Sequence, residues 1–123
     1  MICFENNREY ILRPADLSQF RQHIDPLLEE GEEILAVCQT IRDGIVFTTL
    51  RVIAVDIQGM LGTETDVCSL FYRSAHSFAA ERVGEDRCVL ELFLAGQKQV
   101  RFTFDYADAC LSALTTAIAK FTV

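Results

Sequence analysis

The chain has 123 residues, half of them hydrophobic, and a net charge of −7. That length and apolar content suit one domain, residues 1–123, with a substantial core. An acidic balance with only two lysines, Lys98 and Lys120, and no arginine cluster argues against nucleic acid and anionic lipid as partners.

No stretch approaches the roughly 20 apolar residues of a membrane span. The first residues, Met1 to Glu9, lack a basic segment followed by an apolar one, so no secretion signal is expected. The five cysteines, Cys3, Cys38, Cys68, Cys88 and Cys110, are odd in number and contain no C-x-x-C. They read as reduced residues of a cytoplasmic protein.

In chain order, residues 1–13 have weak patterning. Phe4, Tyr10, Ile11 and Leu12 could pair as an added strand or pack loosely. Residues 16–30 read as helix, with Asp16 as N-cap and Gln19 at capping-box spacing. Leu17, Phe20, Ile24 and Leu28 form one apolar face. Pro26 implies either a kink or a restart capped by Asp25, and Gly31 reads as the closing C′ residue.

Strands then follow: 33–42, 45–48 and 51–57, with Asp43-Gly44 as a tight hairpin turn and a second turn at 48–51. Further strands are expected at about 65–72, 76–83, 88–94 and 99–104, separated by glycine-bearing turns. From residue 107 the period changes. Ala107, Cys110, Leu111, Leu114, Ile118 and Phe121 recur every three to four residues, a helix over 107–121. The expected fold is mainly β: seven antiparallel strands curling into a barrel or orthogonal sandwich. A C-terminal helix caps it, and an N-terminal helical extension, residues 1–31, precedes a barrel over 32–121.

Gly31-Glu32-Glu33-Ile34, Ile41-Arg42-Asp43, Ile45-Val46-Phe47-Thr48, Arg51-Val52-Ile53, Val55-Asp56, Gln58-Gly59, Gly62 and Phe71-Tyr72-Arg73-Ser74 together resemble the bacterial pleckstrin-homology domain family, in its small single-domain type. The likeness spans roughly residues 25–121. It implies a pleckstrin-homology-like barrel that assembles into closed rings, pentamers among them, with no enzymatic role. Thr49-Leu50 and Thr63-Glu64 stand where that family commonly carries basic residues, which weakens a case for anionic ligands.

Tested for chemistry, the sequence is sparse. Adjacent residues on a strand point to opposite faces, so His76 and Ser77 are not expected to meet, whereas Ser74 shares the His76 side. No nucleophile elbow accompanies them. The dispersed His and Cys residues do not bring metal ligands together, and no cofactor is expected. Arg42 and Arg51 read as solvated or paired with Asp43 and Asp56. The positive signal is apolar residues on both faces of the first strands. Val37, Val46, Val52 and Ala54, with Val89 and Phe93 further on, read as an outer set needing cover from the N-terminal helix or from a second copy. The expectation is a non-catalytic interaction module that self-associates, most simply as a pentameric ring, and that could engage other proteins. The alternative is a lipid- or small-ligand-binding module at a membrane surface.

Overall fold

The computed structural model describes residues 4, 8–56, 66–105 and 111–121. Eight strands form one curled sheet: β1 (Arg8–Pro14), β2 (Ile34–Gln39), β3 (Asp43–Thr48), β4 (Arg51–Asp56), β5 (Val67–Phe71), β6 (Ala75–Val83), β7 (Arg87–Leu94) and β8 (Lys98–Phe104). Their spatial order is β5-β4-β3-β2-β1-β8-β7-β6. Two antiparallel meanders, β2–β5 and β6–β8, are thus joined through β1. That strand runs parallel to β8 along Arg8–Leu12 and meets β2 only at Arg13 and Pro14. The expected mainly β fold with a C-terminal helix is present, with eight strands among the described residues rather than seven.

Alternation explains β1. Tyr10 and Leu12 are buried, while Glu9, Ile11 and Arg13 turn outward. In the sequence this signal is masked by the consecutive run Tyr10-Ile11-Leu12, and its main partner strand, β8, lies near the far end of the chain.

Aromatic residues fill the interior. Phe47 meets Phe102 edge-on at 5.2 Å between ring centres, and Tyr10 stacks on Phe102 at 5.5 Å. Edge-to-face and offset geometries match the positive edge of one ring to the negative face of another. Helix α2 (Leu111–Ala119) closes this core by adding Leu114, Ala117 and Ile118. The sequence stripe over 107–121 agrees with those contacts; positions 106–110 lie outside the described residues.

The segment 16–30 is not one helix and does not precede the sheet. It lies between β1 and β2 as three successive turns: Leu17–Gln19, α1 (Arg21–Ile24) and Asp25–Leu27. The Asp16–Gln19 capping box forms: the Ser18 N–H donates to Asp16 Oδ1 at 3.1 Å and the Asp16 N–H to Gln19 Oε1 at 3.4 Å. Pro26, lacking an N–H, sits at the start of the last turn, where none is needed. Gly31 has φ +82°, three residues beyond the C-cap Leu28 rather than at the C′ position.

The Asp43-Gly44 turn is also displaced. Both residues belong to β3, opposite Asp56 and Val55. The bend lies at Thr40–Arg42. There the Thr40 N–H donates to the Asp43 carbonyl at 2.7 Å, and Thr40 Oγ1 accepts the N–H groups of Arg42 and Asp43 at 3.1 and 2.9 Å. A threonine hydroxyl satisfies the turn, so no left-handed glycine is required. Gly44 instead makes room for a neighbour, since a Cβ there would lie 2.5 Å from Cε1 of Phe20. The absent side chain lets Phe20 approach the sheet.

Candidate functional site

The six residues read as an outer apolar set do not share one surface. Phe20 and Ile24 pack on Val46, Ile53 and Val55, with Val37, Ile34 and Leu28 at the margin, so the segment after β1 covers the outer face of β3 and β4. Val52 and Ala54 point the other way, into the barrel core beside Ile45 and Phe47. The face assignment for β4 is therefore inverted: Ile53 and Val55 are its outer residues. Register decides this, because Val52 pairs with Phe47 and Ala54 with Ile45, both interior. Val89 is buried and Phe93 half-buried on the outer side of β7.

The main buried polar feature among the described residues joins segments far apart in sequence. Arg51, at the start of β4, grips Glu32 with two parallel bonds, Nε to Oε2 and Nη2 to Oε1, both 3.0 Å. Its Nη2 also donates to the Leu27 carbonyl, and its guanidinium lies 4.9 Å from the Phe71 ring centre. Thr48 donates its hydroxyl to Glu32 Oε2 at 2.5 Å and accepts from the Leu50 and Arg51 N–H groups at 3.0 Å. The Tyr72 hydroxyl donates to the Thr48 carbonyl at 2.7 Å. The arrangement ties the β3–β4 turn to the segment before β2 and to the end of β5.

Its electrostatics follow from this geometry. Burial would raise the Glu32 carboxyl. Hydrogen bonds from Arg51, Thr48 and the Glu29 N–H, with the Arg51 charge, outweigh that and hold it below the ordinary value. Burial, then the nearby Glu32 charge, pushes the Tyr72 phenol up. Arg51 thus pairs with Glu32 rather than with Asp43 or Asp56. Asp43 is itself raised by burial, with Arg8 opposing and the cross-strand Asp56 adding to the rise.

This network draws together pieces of the chain that carry the sequence resemblance. Gly31-Glu32, Thr48, Arg51 and Phe71-Tyr72 are separate matched pieces in the sequence, and in space they are one clamp. Sequence reasoning missed Glu32, Thr48 and Tyr72, because no local spacing links residues 16 to 24 apart. Every charge in the clamp is consumed internally, so it serves as a fastening rather than a reactive centre.

The histidine expectation is corrected as well. Ser77 Oγ lies 3.2 Å from His76 Nδ1, and both are exposed. A register shift between Ala75 and Ser77 places His76 in a bulge, which breaks strict alternation and lets the neighbours meet. Among the described residues no group of three metal-ligating side chains converges, and Cys38, Cys68 and Cys88 are thiols outside any disulfide. Cys3 and Cys110 lie outside the described residues.

Comparison with known proteins agrees with this architecture. The structure is similar to a DUF1696-family protein with a pleckstrin-homology domain from Shewanella loihica PV-4, at 25% identity and TM-score 0.62, covering 93% of this chain and 99% of the other. It is also similar to a pleckstrin-homology domain from Shewanella amazonensis SB2B, at 25% identity and TM-score 0.53, covering 89% and 90% of the two chains. Among curated proteins it is 39% identical over 64 residues to the uncharacterized protein YjqA of Bacillus subtilis strain 168; the match spans 52% of this chain and about half of that relative, 51%. The model of the family described as bacterial PH domain matches residues 6–122, and the chain accordingly belongs to the bacterial pleckstrin-homology domain family.

Proposed function

We propose that this pleckstrin-homology domain is a non-catalytic interaction module that assembles with copies of itself into a closed ring. One observation carries the reading: β5 and β6, at the two ends of the sheet, each pair with a neighbour on one side only among the described residues. Free strand edges are templates for pairing, and monomeric proteins commonly blunt or cover them. The two edges differ, so contact between β5 of one copy and β6 of the next is head-to-tail. Such contacts close into a ring when the rotation allows. Half-buried Phe93, on the strand next to β6, would gain further cover from a neighbour.

The doubly apolar first strands give less support, because Phe20 and Ile24 already cover β3 and β4. A pentamer is the copy number that the family resemblance suggests. Light scattering coupled to size exclusion tests the reading. A species near five times the 13.9 kDa chain mass is expected at micromolar concentration, and a single 13.9 kDa species overturns it.

A further inference from the structure

The β1 strand has a second edge that is unpaired along residues 9–11 among the described residues. Its residues Arg8–Leu12 pair with β8, and the Asp105 N–H donates to the Leu12 carbonyl. In a parallel ladder alternate residues bond to the same neighbour. Arg8, Tyr10 and Leu12 therefore face β8, while the N–H and C=O groups of Glu9 and Ile11 point away from it. On that side β2 pairs only with Arg13 and Pro14, then leaves the sheet at the Thr40–Arg42 turn. Between β1 and the turn lies a wedge formed by two hollows. One, about 360 Å³, is lined by Ile11, Arg13, Gln39, Thr40 and Ile41. The other, about 200 Å³, has Arg8 to Ile11 along one wall and Thr40 to Arg42 along the other.

The side chains at its mouth are unusual for a turn. Ile41 is 95% exposed and Ile11 47%. Turn tips normally carry polar residues, and two isoleucines bordering the same open hollow form an apolar patch that no described residue covers. Arg13 and Arg42 flank them, both exposed and neither in an ion pair among the described residues. In a chain of net charge −7 this is a locally basic rim around an apolar centre.

We propose that this wedge receives an extended, acidic segment of a partner protein, added as a strand on the free edge of β1. The Glu9 and Ile11 backbone supplies the ladder bonds. An apolar side chain of the segment seats against Ile11 and Ile41, and its carboxylates meet Arg13 and Arg42. Main-chain bonds give such strand addition its affinity, and alternate side chains give its specificity. The site is separate from the β5 and β6 edges, so it stands or falls independently of ring assembly.

The test is selection of a random octapeptide display library on the immobilised full chain, followed by amide exchange with the recovered peptides. Recovered sequences should carry an apolar residue with Asp or Glu two positions away, on the same face of the strand, as Ile11 and Arg13 require, and binding should protect the Glu9 and Ile11 amides. Ile41→Asp, at an exposed position that leaves the fold intact, should weaken binding about tenfold or more. Arg13→Glu with Arg42→Glu should weaken it and flatten its salt dependence. Three results overturn the proposal: no such spacing among recovered peptides, protection at β5 or β6 instead of β1, or Arg13- and Arg42-dependent binding to phosphatidylglycerol vesicles without peptide binding. Dissociation of a self-assembly by Ile41→Asp, with no peptide recovered, also overturns it, because the occupant would then be a second copy.

Discussion

Arg51 shows how much a single side chain holds. Its pairing with Glu32 is buried and bidentate, and truncating one partner strands the other charge in a dry environment. Glu32→Ala is expected to cost about 3–5 kcal/mol in urea unfolding. The apolar pair Glu32→Leu with Arg51→Met should cost much less, since no unpaired charge remains. A single and a double variant of equal stability would contradict this. The same pair sets an acid limit. The Glu32 carboxyl lies below its ordinary value of 4.5 when folded, so its contribution is complete above that value. It is lost as pH falls through the lower folded value. Asp43 has the opposite sign: its folded value is raised above 3.8, so folding loses stability as pH rises from 3.8 through the raised value. Asp43→Asn should therefore stabilise the protein at neutral pH, measured by thermal unfolding, while leaving the acid limb set by Glu32. Gly44 is a third residue-scale case. Alanine usually suits a strand better than glycine, but here its methyl group would meet the Phe20 ring at 2.5 Å. Gly44→Ala should destabilise by about 1–3 kcal/mol, the cost of overpacking. A neutral result would mean that Phe20 moves aside freely.

At the scale of elements, the segment between β1 and β2 matters for what it covers rather than for its helicity. Its three short turns are weak as isolated helices, because nucleation is costly and Pro26 interrupts the ladder. Packing of Phe20 and Ile24 on Val46, Ile53 and Val55 holds them in place. Phe20→Ala should cost about 3–5 kcal/mol and uncover the outer face of β3 and β4. Increased binding of a hydrophobic dye to the folded variant would report that exposure. Unchanged stability would show that the segment does not guard this face. The sequence carried the capping box and apolar face of this segment, both local patterns. It did not carry the break into turns, which the sheet surface beneath imposes.

For the whole molecule, β1 is the strand that makes one curled sheet out of two meanders. Each meander follows from alternation and turn residues, so the strands from 34 to 104 and the closing helix were legible within a few residues. The β1–β8 pairing was not, because nothing in so short a strand specifies a partner far along the chain. The same limit governed the candidate surfaces. A strand's two faces can be separated by period, but which face is inside depends on register against its neighbours, and for β4 the sequence reading chose the wrong one. The residue chemistry alone determined a mainly β domain with an acidic balance and apolar strands, and the resemblance of its motifs pointed to the pleckstrin-homology type. Only the tertiary structure decided that Glu32 would fasten Arg51, that Phe20 would cover β3 and that β1 would keep an open edge among the described residues. Local order is written in neighbouring residues, whereas these contacts arise where distant segments compete for the same space.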